Sequence, residues 1–139
     1  MSILKARSRH LEIGAGGETL AVKLLRKRNC TILARNWRNS NEHDGAGELD
    51  IVAVDGETVI FVEVKTRRKL DNYLPGANLS DSQKKRIRRG ANIYCRQHNI
   101  PQKIAKRFDY IEVIYDGKRL HDIALHENYM PFTASDFLT

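Results

Sequence analysis

The stretch Gly47-Glu48-Leu49-Asp50-Ile51-Val52-Ala53-Val54-Asp55-Gly56-Glu57-Thr58-Val59-Ile60-Phe61-Val62-Glu63-Val64-Lys65 decides the fold. Two apolar runs flank Asp55-Gly56, a dipeptide that tolerates the positive φ of a tight turn. The runs therefore read as antiparallel strands, Glu48–Val54 and Thr58–Thr66. A two-residue turn at Asp55-Gly56 pairs Val54 with Glu57. Further down the ladder Asp50 faces Phe61, and Glu48 faces Glu63. Paired residues share a face, as does every second residue of a strand. Glu48, Asp50, Glu63 and Lys65 then project together, and Leu49, Ile51, Ala53, Ile60, Val62 and Val64 form the opposite, dry face. A four-residue turn keeps this assignment, whereas a three-residue turn breaks it.

This arrangement makes Asp50 and Glu63 diagonal neighbours, with Cα atoms roughly 7 Å apart. Two carboxylates about 5 Å apart repel by roughly 3 kcal/mol at an effective dielectric of 20. Protons, solvent or a cation must relieve them. Mg²⁺ suits such oxygen ligands, because one or two carboxylates hold it together with phosphate and water. Lys65, beside Glu63 on the same face, is placed to hold a nucleophile or to stabilise charge on a phosphate. A lone Glu-x-Lys pair is more often a solvated strand face. The apolar runs around this one make it a candidate catalytic cluster, with Glu48 in support.

Two further residues carry double readings. Glu18 lies on the helical stripe of Ala21, Val22 and Leu25, so it reads either as a third metal ligand or as an acid stabilised by the helix dipole. Gln83 closes the capping-box pattern Ser80-Asp81-Ser82-Gln83, which bonds back to the helix start; the alternative is a polar group at the site.

Working outward, Gly14-Ala15-Gly16-Gly17 opens a helix to about Arg28, with Leu20, Ala21, Leu24 and Leu25 on its apolar side and Asn29 as its stop. Thr31–Trp37 reads as a strand and Asn39–Gly45 as a loop. Beyond the hairpin, Arg67–Leu79 is a long polar connection, expected to be mobile. A helix from Ser80 to about His98 follows, weakened by Gly90. Phe108–Tyr115 is a strand, Asp116-Gly117 a turn, and Arg119–Ala124 a further strand. Residues 1–13 read as a basic lead-in, 14–124 as the domain and 125–139 as an irregular tail. The expected fold is α/β, in the order αβββαβ, with helices flanking a mixed central sheet.

A chain of 139 residues fits one domain. Its two cysteines, with no secretory h-region and no long apolar span, point to a reducing, cytoplasmic setting away from membranes. The net charge of +7 suits a nucleic acid or another acidic partner, as well as a merely solvated surface. Lys84-Lys85-Arg86-Ile87-Arg88-Arg89 tilts this toward binding, since acids are nearly absent from the helix around it. Lys84, Lys85, Arg88 and Arg89, with Arg67 and Arg68 past the hairpin, are the candidate nucleic-acid contacts. Cys95-Arg96-Gln97-His98 has ligand spacing but no second Cys/His pair near it, which argues against zinc. No P-loop, dinucleotide fingerprint or nucleophile elbow is present.

The runs Gly47–Ala53 and Phe61–Arg67, with Gly17-Glu18, Arg35-Asn36-Trp37-Arg38 and Arg107-Phe108-Asp109, resemble the YraN-like bacterial family over roughly residues 14–124. That family is placed with the PD-(D/E)XK nucleases, near the Holliday junction resolvases. The resemblance implies a restriction-endonuclease-like αβββαβ core. It implies Asp50 and Glu63 as metal ligands, Lys65 as the catalytic lysine, Glu18 as the acid of the first helix and, more loosely, Gln83 as the polar residue of the second. The proline of the superfamily's name is replaced here by Leu49.

Three functions are therefore in play. One is an Mg²⁺- or Mn²⁺-dependent endonuclease for branched or otherwise structured DNA, or for RNA, with a homodimer as the assembly that junction cleavage calls for. Another is a non-catalytic nucleic-acid-binding module on the same fold. The last is an interaction subunit docking through a sheet edge or through Met130-Pro131-Phe132.

Overall fold

Both helices stop on an asparagine that turns the chain back toward the sheet. Asn29 (φ 67°) ends α1, His10–Lys27, and Asn99 (φ 53°) follows α2, Asp81–Gln97. In each case the next N–H folds back onto the last turn, Cys30 to the Leu25 carbonyl and Ile100 to the Cys95 carbonyl, both at 2.9 Å. Asparagine tolerates this left-handed conformation better than most residues. The structure, a computed structural model, describes residues 10–39, 47–69 and 79–132, with side chains from residue 16 onward.

The strands are β1 Thr31–Arg38, β2 Glu48–Asp55, β3 Thr58–Arg68, β4 Lys106–Asp116 and β5 Arg119–Met130. They form one five-stranded sheet in chain order. Neighbours are antiparallel except β3 and β4, which run parallel across the α2 crossover. This is the expected α/β order, closed by a β4–β5 hairpin.

Several boundaries differ from the sequence expectation. α1 begins at His10, inside the supposed lead-in. Its glycines do not set the start. A Cβ at Gly17 would collide with Thr66 Oγ1, so that glycine permits close seating on β3. β5 reaches Met130, through much of the stretch expected to be irregular. Met130 is buried and pairs with Phe108, while Phe132 stacks on Phe108 at 4.5 Å. Met130 and Phe132 thus pack on the protein's own core and leave Pro131 as the exposed residue of the segment read as a docking tail. Most of the expected loop Asn39–Gly45, and residues 70–78 of the expected mobile connection, lie outside the described residues.

The hairpin register also departs by one step of the pleat. Asp55 pairs with Thr58, so the two-residue turn is Gly56-Glu57, with Gly56 at φ 62° in its first position. A glycine there fits the type II′ geometry, which takes positive φ only at that place. The β4–β5 turn repeats the pattern, with Asp116 paired to Arg119 and Gly117 at φ 62°. The shift moves every pair by an even number of residues, so β3 keeps its faces.

Helices cover both sides of the sheet. α1 lays Ala21, Val22 and Leu25 on Ile51, Ala53, Ile60, Val62, Ile111 and Val113. α2 lays Ile87, Ala91, Tyr94 and Cys95 on Leu49, Val52, Phe61 and Phe108. Coverage on both faces explains why β2 and β3 read as continuous apolar runs. Gly90 belongs to this packing, since a Cβ there would press on the Gly47 backbone at 3.2 Å. Both cysteines are free and buried. No described helix is long and apolar enough to cross a membrane.

Candidate functional site

Asp50 sits where β2 stops alternating. Ile51 and Ala53 belong to the α1-side core, but Leu49 belongs to the α2-side core, contrary to its assignment to one dry face. The β2–β3 ladder is regular up to Ile51 and Val62. Beyond it, Asp50 Oδ2 accepts the Val64 N–H at 2.9 Å, so a side chain takes over where the ladder ends. The true register brings Asp50 level with Glu63 rather than diagonal to it, and the two carboxyl groups share a hydrogen bond.

That contact requires a proton. Burial pushes the Glu63 carboxyl up to about 8, helped by the Asp50 charge and the shared bond, while Lys65 and Arg86 pull it down. The two acids are therefore under-compensated. Two desolvated carboxylates side by side cannot both ionise without a cation.

Glu18 approaches from α1. Burial raises its carboxyl, the Asp50 charge raises it further, and Arg35 opposes. Its Oε1 is buried with no hydrogen-bond partner among the described residues. Gly17, seated on Thr66, sets how deeply this part of α1 sinks. Glu18 is thus within electrostatic reach of Asp50. Among the described residues, no three Asp, Glu, His or Cys side chains stand close enough to form a complete metal cage.

Other expected site residues are engaged elsewhere. Glu48 is held across the sheet by its ladder partner Arg38 at 3.6 Å, with both side chains exposed. Gln83 closes the capping box, its Oε1 accepting the Ser80 N–H at 2.9 Å while the Gln83 N–H donates to Ser80 Oγ at 3.2 Å. Arg67 differs most from expectation. Its Nε lies 3.1 Å from the buried Glu112 carboxylate, and its Nη2 donates to the Tyr110 hydroxyl at 3.0 Å. A guanidinium held this way lies in the fold and is not a free phosphate contact.

The remaining cations vary in exposure. Arg68, Lys85 and Arg89 are exposed, and Lys84 is half-buried. Arg88 lies over the Phe108 ring at 5.6 Å from its centroid. The sequence reading passed over Arg86 and Arg35, the charges felt by Glu63 and Glu18 respectively. Arg86 was visible in the basic run, and its position three residues after Gln83 on α2 was the available signal.

Of the Cys95/His98 pair, Cys95 belongs to the α2-side core and His98 is exposed. Cys95 is buried, which pushes its thiol up to about 11. The His98 ring stacks on Tyr94 at 4.0 Å.

A second set of acids lies alongside. Arg107 grips Asp109 with two bonds of 2.8 Å and reaches Asp55 at 3.2 Å. Asp109 also accepts the Asn128 N–H at 3.0 Å, where β5 bulges at φ 53°. This brace accounts for the Arg107-Phe108-Asp109 segment as structural.

Comparison with known proteins agrees with these segments. The model of the "Uncharacterised protein family UPF0102" matches residues 17–113. The chain is 38% identical over 107 residues to a UPF0102 protein of Paenarthrobacter aurescens, covering 76% of this chain and 82% of the relative. It is 42% identical over 103 residues to one of Nocardia farcinica, covering 73% and 76%. A UPF0102 protein of Roseiflexus castenholzii aligns over 128 residues at 29% identity, covering 92% of this chain and 97% of the relative. The matched span runs from Gly17, beside Glu18, through both hairpin strands to β4, and by it the chain belongs to the Uncharacterised protein family UPF0102.

Proposed function

We propose that this protein is a metal-dependent endonuclease that hydrolyses phosphodiesters in branched or otherwise structured DNA. The observation that carries this reading is the shared hydrogen bond of Asp50 and Glu63 at the broken end of the β2–β3 ladder, with Lys65 beside it. A structural acid is normally paired with a cation, and this pair instead awaits one.

The donor set is all hard oxygen, which fits Mg²⁺ or Mn²⁺. Asp50 and Glu63 would hold the ion, and Glu18 on α1, whose Oε1 is buried without a hydrogen-bond partner among the described residues, is the further acid that feels the Asp50 charge. When bound, such an ion neutralises phosphate charge and makes water a better nucleophile. The protein's own residues do the rest. The Val64 N–H fixes the orientation of Asp50. Lys65 supplies a positive charge next to Glu63, where a phosphate's negative charge grows in the transition state. The exposed cations of α2 hold the nucleic-acid backbone without reading its sequence.

The test incubates purified protein with labelled junction, flap, duplex and single-stranded substrates, in Mg²⁺, Mn²⁺ or EDTA. Asp50→Asn runs alongside. The expected result is metal-dependent cutting, reduced by about 100-fold or more in the variant, with DNA affinity retained. Equal cutting by both proteins would mean a contaminating nuclease.

A non-catalytic nucleic-acid-binding module is the second reading, favoured by the exposed cations Lys85 and Arg89 of α2, which would hold a nucleic-acid backbone whether or not it is cut. It predicts binding without cutting in any metal, unaffected by Asp50→Asn and weakened by removing Lys85 and Arg89.

A further inference from the structure

Lys65 stands between two acids. Along β3 it follows Glu63 by two residues, on the same face. Across the parallel ladder its Cα partner on β4 is Glu112. Partnered residues of these strands project together, as Phe61 and Phe108 do into the α2-side core. Neighbouring strands lie about 4.8 Å apart, so a lysine can reach either acid.

Glu112 is wholly buried. A carboxylate removed from water attracts an ammonium far more strongly than an exposed one. Left to itself, it would draw Lys65 away from Glu63. Other residues already hold it. Arg67, a further two residues along the same face of β3, brings Nε to 3.1 Å of Glu112 Oε2. His126 brings Nε2 to 2.8 Å of Oε1. Tyr110 braces the arginine, its hydroxyl accepting from Nε at 3.3 Å and Nη2 at 3.0 Å, and its ring stacks on His126 at 5.5 Å. Among the described residues Lys65 forms no ion pair, and its charge acts on Glu63.

We propose that Arg67 is a positioning residue: by occupying Glu112 it keeps the Lys65 ammonium free for the Asp50–Glu63 site. The guanidinium suits this task better than a second lysine, because its planar fork meets the carboxylate and the Tyr110 hydroxyl at once. The effect on turnover rests on the nuclease reading above, whereas the placement of Lys65 does not.

The test compares wild type, Arg67→Met, Glu112→Gln and the double variant, by crystal structure, DNA affinity and turnover on branched DNA with Mn²⁺. In Arg67→Met, Lys65 Nζ should swing to within about 4 Å of the Glu112 carboxylate. Turnover should fall about 10- to 100-fold while DNA affinity stays within about twofold. In the double variant the competing charge is gone, and turnover should return to within about threefold of wild type. Lys65 unmoved in Arg67→Met would overturn the proposal. So would a loss of DNA affinity that Glu112→Gln does not rescue, which would make Arg67 a phosphate contact after all.

Should Arg67→Met fail to fold, Glu112→Gln decides. Turnover within about threefold of wild type is expected, and a drop beyond about tenfold would show that Glu112 acts in its own right. If wild type cuts no DNA, the nuclease reading fails, and the position of Lys65 in the crystal structures still decides this proposal.

Discussion

On β4, Asp109 and Glu112 are both wholly buried, and each is held by an arginine: Arg107 grips the first, while Arg67 grips the second, whose other oxygen lies 2.8 Å from the His126 ring. On β2 and β3, Asp50 and Glu63 lie against each other, joined by a hydrogen bond that needs a shared proton. Both sets are acids within one sheet, a strand apart. The first is satisfied within the fold, and its residues are bound to one another through three strands. The second is satisfied only by a proton or by something from outside. The contrast separates acids that build the structure from acids kept for a ligand.

Breaking the satisfied set should cost most. Arg107→Met strands Asp109 as a buried charge, so unfolding in denaturant should show a loss of about 3–5 kcal/mol. An unchanged midpoint would mean that Asp109 is reached by water and that the contrast is overstated.

The unsatisfied set should respond in the opposite sense. Between the ordinary carboxyl range and the raised value of Glu63, the folded protein keeps a proton that the unfolded chain releases. In EDTA, stability therefore falls as pH rises through that window, up to about pH 8. Glu63→Gln cannot ionise and should remove that slope. It should gain about 1–3 kcal/mol over wild type at pH 9 and little at pH 5, read from paired denaturation curves. Parallel curves at all pH values would show that Glu63 is not raised.

The smallest effect is expected at Gln83. Its oxygen serves the capping box, so Gln83→Ala should cost about 0.5–1 kcal/mol and leave any DNA cutting within a few-fold. A large loss of cutting with full stability would move Gln83 from the structural set to the functional one.

Much of this was legible from the sequence. The apolar runs, the two Asp-Gly signals, the capping box and the asparagine stop were enough for the α/β order, and they brought Asp50, Glu63 and Lys65 to one hairpin. The turn position was not legible, because Asp55-Gly56-Glu57-Thr58 admits either dipeptide as its centre, and it is the Asp55–Thr58 pairing, with positive φ at Gly56 but not at Asp55, that chooses between them. The partner of Arg67 was hidden for another reason. Glu112 lies on a strand reached through a helical crossover, and no local pattern reports which β4 residue comes level with it. His126 lay past the expected end of β5. Arg67 therefore read as a phosphate contact when only its charge was visible.

The parallel pairing of β3 with β4 has a consequence for the order of assembly. The meander β1–β3 spans residues 31–68 and closes through sequence-local contacts, whereas β4 must cross back over α2 from beyond residue 100. Short loops cost less chain entropy to close and tend to form sooner. On that schedule Asp50 and Glu63 are brought together before Arg67 has a partner, and the last ladder to zip is the one that carries Glu112. A nascent meander would then hold its two acids together with Lys65 as their nearest cation, and the arrival of β4 would complete the arginine's side of the site.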